Sequence, residues 1–337
     1  MSTHPLPPSE EHPFAPYVRI LGKGKSGTRS LTEAESFDAF SMILQGNYED
    51  VQLGAFLMLL RVKEETPQEI AGFVRACRQF SIAPPPELAA DLDWSTYAGK
   101  RHQHPWYLLS LWLLAGAGYR VFVHGSAGHT AGRLYTESAM RQLGLPIAAN
   151  WQEVDAQLTT HNLSYLPLQR FCAPLDDIIQ LRPLLGLRSP VNTLTRLLNP
   201  LSALSSIQSI FHPAYAEIHQ LADRRLGQPR ALVIKGESGE IEVKPHADTR
   251  IVRLLNGQQD ELKLERMINA RVAAVTMPAV EPVRGVWRGD SRDRYGECAV
   301  IGTTAVALLV LQPQLSVAQA RDKATALWND RNKGSLG

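Results

Sequence analysis

The chain has 337 residues, enough for two domains or for one domain with a small companion. Apolar residues make up 44% and charged residues 20%, which excludes an intrinsically disordered chain. The formal net charge of +2 neither demands nor excludes a nucleic-acid partner, so a basic surface has to come from local clustering. Cys77, Cys172 and Cys298 are scattered, with no CxxC and no His/Cys cluster. That argues against a disulfide framework or a structural zinc and for reduced thiols in a cytoplasmic protein. The first residues lack the apolar core of a secretory signal. No run reaches the roughly 18 apolar residues of a membrane span, so no membrane partner is expected.

Residues 1–13 are rich in Pro, Ser and Glu and read as a disordered tail. Gly22, Gly24 and Gly27 then interleave with Lys23, Lys25 and Arg29. The Walker spacing is absent and no strand precedes, so this is not a P-loop. It is either a flexible basic lead-in or a mobile arm whose amides and lysines meet phosphate. Thr32 and Glu35 form a capping-box signature ahead of a helix carrying Phe37, Phe40, Ile43 and Leu44. Asp50 precedes the apolar run VQLGAFLMLLRVK, and Thr66-Pro67 opens a third helix. Residues 14–80 are therefore an all-helical unit.

The Pro-rich stretch 81–90 leads into a second unit, residues 81–174 and 201–337. A strand at Asp91–Trp94, a loop, a helix from about Pro105 to Ala117 and a strand at Tyr119–His124 make a β-loop-α-β arrangement, with ligands expected past the strand ends. The loop carries Lys100, Arg101, His102 and His104 beside Tyr97, Trp106 and Tyr107. Such a set suits phosphate neutralisation with base stacking, or a solvated loop whose aromatics pack inward. His124 reads more simply as a satisfied strand-end histidine than as a base. Helices follow at 133–145 and Trp151–Leu158, then a strand at His161–Leu166. Between them and the rest lies LRPLLGLRSPVNTLTRLLNPL, with Arg182, Arg188 and Arg196 among leucines. Those arginines either pair with carboxylates at a domain junction or face a ligand. Strands at Ala231–Lys235 and Thr249–Leu255, a polar arginine-rich stretch 256–294, and helices Gly296–Leu311 and Ser316–Trp328 complete the chain.

Two stretches carry a family resemblance. LTEAESFDAFSMILQGNYEDVQLGAFLMLLRVKEETPQEIAGFVRACR resembles the N-terminal helical domain of the anthranilate and nucleoside phosphoribosyltransferase superfamily, and residues 175–200 resemble its crossing segment. The resemblance implies an α/β fold: a small N-terminal helical domain plus a larger α/β domain with a central, mostly parallel sheet, of the phosphoribosyltransferase or class II nucleoside phosphorylase type. It also implies a homodimer through the helical domain, joined by the segment near 175–200. Arg182 matches the arginine that contacts anthranilate, and Arg188 the arginine of the Leu-Gly-x-Arg turn.

The chain departs from that family at three ligand elements. The Gly-Thr-Gly-Gly-Asp cradle reads Ser95-Thr96-Tyr97-Ala98-Gly99-Lys100-Arg101. Lys-His-Gly-Asn-Arg reads Val123-His124-Gly125-Ser126-Ala127. The magnesium-holding Asp-Glu pair reads Ile241-Glu242. Tyr97, Gly99, His124, Gly125 and Glu242 then mark a vestigial ligand site with no cofactor. The pattern resembles the family's dimeric branch, which binds DNA and RNA with little sequence preference. The expected nucleic-acid contacts are Lys23, Lys25, Arg29, Lys100, Arg101, Arg182, Arg188 and Arg196. The alternative is a glycosyl- or phosphoribosyltransferase with an altered substrate, using Mg2+ and phosphoribosyl diphosphate.

Overall fold

A computed structural model of the chain describes residues 10–24 and 26–336. Lys25 and most of the N-terminal tail lie outside the described residues.

Four helices come first: α1 (Ala15–Gly22), α2 (Glu33–Leu44), α3 (Asp50–Lys63) and α4 (Pro67–Phe80). The start of α2 is the capping box that its sequence announces. The Thr32 hydroxyl accepts the Glu35 N–H, and the Glu35 carboxylate accepts the Thr32 N–H. Helix α4 starts the same way from Thr66 and Glu69. Glu69 is fully buried and also accepts the Leu31 N–H at 2.9 Å and the Lys63 ammonium at 2.7 Å, which fastens α3 and α4 to the entry of α2. Phe14, Phe40, Phe56 and Phe73 fill the centre, with ring centroids 5.0–6.2 Å apart along the chain of contacts. Each contributes roughly 2–3 kcal/mol through burial. Helix α1 falls inside the stretch 14–80 expected to be helical, just ahead of the glycine- and lysine-rich lead-in. It forms because Phe14 and Leu21 are buried against the unit, with Pro16 in its first turn.

The second unit runs β1 (Leu92–Thr96), α5 (Tyr107–Gly116), β2 (Val121–Gly125), α6 (Thr136–Leu143), α7 (Trp151–His161) and β3 (Leu163–Pro167). A crossing segment of short helices follows: α8 (Leu168–Phe171), α9 (Ala173–Gln180), α10 (Arg182–Leu185) and α11 (Val191–Leu194). The chain ends with β4 (Ser205–Ile210), α12 (Tyr215–Arg225), β5 (Arg230–Lys235), β6 (Thr249–Leu255), β7 (Gln258–Leu264), α13 (Glu281–Arg288), α14 (Arg294–Leu311) and α15 (Val317–Asn329).

The seven strands form one sheet in the order β3-β2-β1-β4-β5-β6-β7. The first five are parallel, and β6 and β7 close the edge antiparallel. The order runs outward from β1 to β3 on one side and from β4 to β5 on the other. The crevice at the carboxyl ends of β1 and its neighbours is therefore the topological switch point. One face of the sheet packs on α5 and α14, and the other joins the helical unit's core through Tyr97, Phe122 and Leu166. Helix α14 is long and apolar enough to cross a membrane, but 72% of it is buried in this core. Arg78 of α4 donates to the Leu198 and Leu197 carbonyls at 2.7 and 3.1 Å and ties the two units together.

Three elements differ from the sequence-based expectation. Strand β4 reads SSIQSI, with hydroxyl and amide groups where a buried strand normally shows branched apolar residues. It is buried throughout and most of those groups find partners: Ser205 donates to the Val310 carbonyl, Gln208 donates to Asp223 and the Ser209 hydroxyl accepts the Gly236 N–H, while the Ser206 hydroxyl has no partner among the described residues. Strand β7 and helix α13 lie inside the stretch 256–294, whose polarity hid an exposed edge strand and a half-exposed helix.

Candidate functional site

Beyond the carboxyl ends of β1, β2 and β5, Tyr97, His124 and Gly125 fall in one group and Gly99 and Glu242 in a neighbouring one. Glycine is required at Gly125, because a Cβ there would stand 2.1 Å from the Thr96 carbonyl oxygen. The close approach of β1 and β2 that results sets Tyr97 over His124.

The Tyr97 hydroxyl donates to His124 Nδ1 at 2.6 Å, and His124 Nε2 faces Asp93 at 3.3 Å. Tyr97 is 1% exposed, and burial first of all pushes its pKa well up, so it stays a donor. This is a closed core network, and His124 is the satisfied histidine that the sequence suggested.

The second cluster joins the β1–α5 loop to the turn after β5. That turn is tight at Gly236, where a Cβ would sit 1.7 Å from the Glu240 carbonyl oxygen. Glu240 is thereby delivered to the β1–α5 loop. Its Oε1 accepts the Ala98 N–H at 2.8 Å and the Gly99 N–H at 2.5 Å. Burial raises the Glu240 pKa, with Arg196 pulling against it. Arg196 donates to the Gly239 carbonyl at 3.1 Å and to the Asn192 carbonyl at 3.3 Å. Beside it, the Lys100 ammonium contacts both Glu237 and Glu242. The other Glu242 oxygen accepts the Tyr107 N–H, at the start of α5, at 2.9 Å. Burial is the main cause that pushes the Glu242 carboxyl up to about 7, and Lys100 opposes it. The amides, the helix start and the lysine of this crevice all have carboxylate partners supplied by the chain itself.

Several expected nucleic-acid contacts are corrected by their burial. Lys100 is 0% exposed and held between two carboxylates, so it cannot reach a phosphate backbone. Arg196 is 7% exposed and turned toward Gly239. Tyr97, Trp106 and Tyr107 are buried in the core and offer no stacking face. Arg29 is exposed, but both terminal nitrogens bond Glu35 at 2.7 Å, which neutralises it. Lys25 lies outside the described residues. Lys23 and Arg101 are exposed.

Arg182 and Arg188 are half-buried at the mouth of the crevice. Arg182 donates to the His129 carbonyl at 3.3 Å and to the Thr130 hydroxyl. Arg188 makes no ion pair among the described residues. Its pKa is pushed down to about 10, first by burial and then by Arg133, Arg196 and Arg182. Burial first, and then Arg188, Arg182 and Arg133, hold His129 down at about 4. Arg133, which the sequence reading passed over, donates to the Ala98, Gly99 and Ser238 carbonyls at 2.9, 2.9 and 3.2 Å. Arg133, Arg182 and Arg188 stand near one another, and none of the three makes an ion pair among the described residues. A small cavity of about 120 Å3 lies behind Arg188, reaching Arg61 and Glu65 of the helical unit.

Comparison with known proteins places this architecture. Residues 16–81 match the helical bundle domain, and residues 108–330 the a/b domain, of the glycosyl transferase family. The chain belongs to the glycosyl transferase family that includes the anthranilate phosphoribosyltransferases. It is 30% identical to the anthranilate phosphoribosyltransferase of Methylocella silvestris, over 71% of this chain and 68% of the other. It is 27% identical to the protein YbiB of Escherichia coli, over 78% of this chain and 85% of the other. The fold is that of the Saccharomyces cerevisiae anthranilate phosphoribosyltransferase solved with PRPP and Mg, with a TM-score of 0.77 at 18% identity, covering 95% of this chain and 94% of that one. The scaffold is therefore that of a phosphoribosyltransferase.

Proposed function

We propose that this protein is a dimeric, largely sequence-independent nucleic-acid-binding member of its family that does not carry out the parent transfer reaction. The observation that carries this reading is Glu240 on the Ala98 and Gly99 amides. Those amides would have to receive a diphosphate, and a buried carboxylate already occupies them. The residues present do not fit a magnesium-bound diphosphate either. Glu242 and Glu237 are held by the Lys100 ammonium, and Ile241 offers no oxygen ligand from its side chain.

Arg101, Arg182 and Arg188 support a phosphate-backbone partner, with Lys23 and Lys25 of the N-terminal arm as further cations. Counterion release makes such binding fall steeply with salt. A mobility-shift titration at low and high salt tests it, and absence of binding at low salt contradicts it. Self-association is supported by an apolar groove of about 580 Å3 between α2, α3 and α9–α10, lined by Ile43, Leu53, Ile178, Leu181, Leu184 and Leu185. Leu184 is 84% exposed in one chain, and a second copy of the groove would cover it.

A second reading, a transferase with an altered substrate, has one specific support. The relatives include enzymes named anthranilate phosphoribosyltransferase, and Arg182 and Arg188 stand at the crevice mouth. Calorimetry with phosphoribosyl diphosphate and Mg2+ separates the two: a specific, metal-dependent heat favours the transferase.

A further inference from the structure

A separate cavity of about 610 Å3 lies beside Glu237, on the side away from the arginine patch. Its roof is the segment from Arg271 to Ala274. Two hydrogen bonds tie that roof to the loop after β1. Gln103 Nε2 donates to the Ala273 carbonyl at 2.8 Å, and the Val275 N–H donates to the His102 carbonyl at 2.9 Å. Glu237 contributes the one carboxylate of the wall, and the buried Lys100 ammonium behind it already answers that charge.

The wall also carries two cations without a carboxylate partner and two buried polar atoms without a hydrogen bond among the described residues. Lys244 and Arg271 line the cavity and make no ion pair among the described residues. Lys244 is half-buried, and burial is the first cause that lowers its pKa. Tyr295, in the first turn of α14, is 4% exposed, and its hydroxyl has no hydrogen-bond partner among the described residues. Burial, then Glu242 and Glu237, push its pKa up, so the hydroxyl keeps its proton. His246 Nδ1 is also buried without a partner among the described residues, and its ring centroid stands 6.0 Å from that of Tyr295. Buried polar atoms are normally satisfied. Two unsatisfied ones facing a cavity with two unpaired cations describe a site whose ligand supplies the acceptors.

We infer that this cavity binds a small phosphate monoester, with Lys244 and Arg271 answering its charge and Tyr295 and His246 bonding its oxygens. A tetrahedral dianion uses donors converging from several directions, whereas a carboxylate is flat and carries a single charge. The cavity exceeds the size of a lone phosphate and leaves room for an organic part beside Val272 and Ala274. Neither Arg182 nor Arg188 lines it, so the assignment stands apart from the nucleic-acid reading.

Isothermal titration of the full chain with glycerol 3-phosphate tests this, with glycerol and inorganic phosphate as companion probes. The expected result is saturable binding of glycerol 3-phosphate, weaker binding of inorganic phosphate and none of glycerol. Arg271→Gln and Lys244→Gln should each weaken binding about tenfold, and Tyr295→Phe about threefold. Arg271 is exposed and makes no side-chain hydrogen bond among the described residues, so its substitution leaves the fold in place. No saturable binding of either phosphate probe up to about 10 mM overturns the assignment. So does unchanged affinity in both the Arg271 and Lys244 variants. A single-stranded oligonucleotide should fail to displace glycerol 3-phosphate. Displacement, with the oligonucleotide itself weakened by Arg271→Gln, would give these cations to a nucleic-acid backbone and overturn the small-ligand assignment.

Discussion

Glu240 and Gly99, 141 residues apart in sequence, share a hydrogen bond of 2.5 Å in which the Gly99 N–H donates to the Glu240 carboxylate. The carboxylate stands where an anionic ligand of the cradle would stand, and the buried Arg196 offsets part of its charge. Glu240→Ala should therefore have two effects. It should cost about 3 kcal/mol in urea unfolding, because it leaves Arg196 buried without its carboxylate. It should also open the amides, so that inorganic diphosphate raises the melting temperature of the variant and leaves the wild type unchanged.

Lys100 makes a sharper stability test. It is the only ammonium contacting Glu237 and Glu242 among the described residues. Lys100→Met should cost about 3–5 kcal/mol, since two carboxylates then remain in the core. Its effect on oligonucleotide affinity, measured at a temperature where the variant is folded, should be under twofold, as expected of a residue with no exposed surface.

Much of this was legible in the sequence, and the exceptions have physical reasons. The capping box at Thr32 and Glu35 is local, so four residues suffice to read it. The all-apolar stretch of α14 and the β-loop-α-β order at β1, α5 and β2 are equally readable from pattern. The resemblance marked Tyr97, Gly99, His124, Gly125 and Glu242 together, and the fold divides them between the Tyr97–His124 pair and the cluster of Gly99, Lys100, Glu240 and Glu242. What could not be read was which cations are free. Lys100 looks like a loop lysine until Glu242, 142 positions on, is folded against it. Arg133 carried no signal, because its partners are backbone carbonyls. Strand β4 was hidden because Ser205, Ser209 and Gln208 are satisfied by distant groups rather than by solvent.

The buried pair His219 and Asp223 sets opposite pH dependences within one network. His219 Nδ1 bonds the Gln208 side-chain oxygen Oε1 at 2.7 Å, and Gln208 Nε2 donates to Asp223 at 2.9 Å. Burial pushes His219 down to about 3 and Asp223 up to about 7. The native state binds fewer protons at His219 than the unfolded chain does below about 6.5, so His219 withdraws stability as pH falls. Asp223 takes up a proton in the native state between about 4 and 7, so it adds stability as pH falls. His219→Gln should remove only the first effect. Relative to wild type, the variant should gain about 2 kcal/mol between pH 8 and pH 5, by urea unfolding at each pH.

The arginine patch is testable through salt. Arg188→Glu and Arg182→Glu should each weaken binding of a single-stranded oligonucleotide about tenfold at low salt. Each should also reduce the slope of log affinity against log salt by about 1, as expected when one phosphate contact is removed. Arg29→Glu should have a smaller effect, because Glu35 already neutralises Arg29. Fluorescence anisotropy across a salt series reads all three.

The groove at α2, α3 and α10 predicts the assembly. Leu184→Glu places a charge in its centre, and light scattering should show the variant as a monomer where the wild type is a dimer. The fold should be untouched, since Leu184 is 84% exposed in the single chain.

The central claim, that the chain holds its own carboxylates in the diphosphate cradle and binds nucleic acid instead, comes down to one competition. A labelled single-stranded oligonucleotide is titrated with the protein at low salt, with and without phosphoribosyl diphosphate and Mg2+. The account predicts binding that weakens steeply with salt and is unmoved by phosphoribosyl diphosphate and Mg2+ at matched ionic strength. No oligonucleotide binding, or metal-dependent displacement by phosphoribosyl diphosphate, would contradict it.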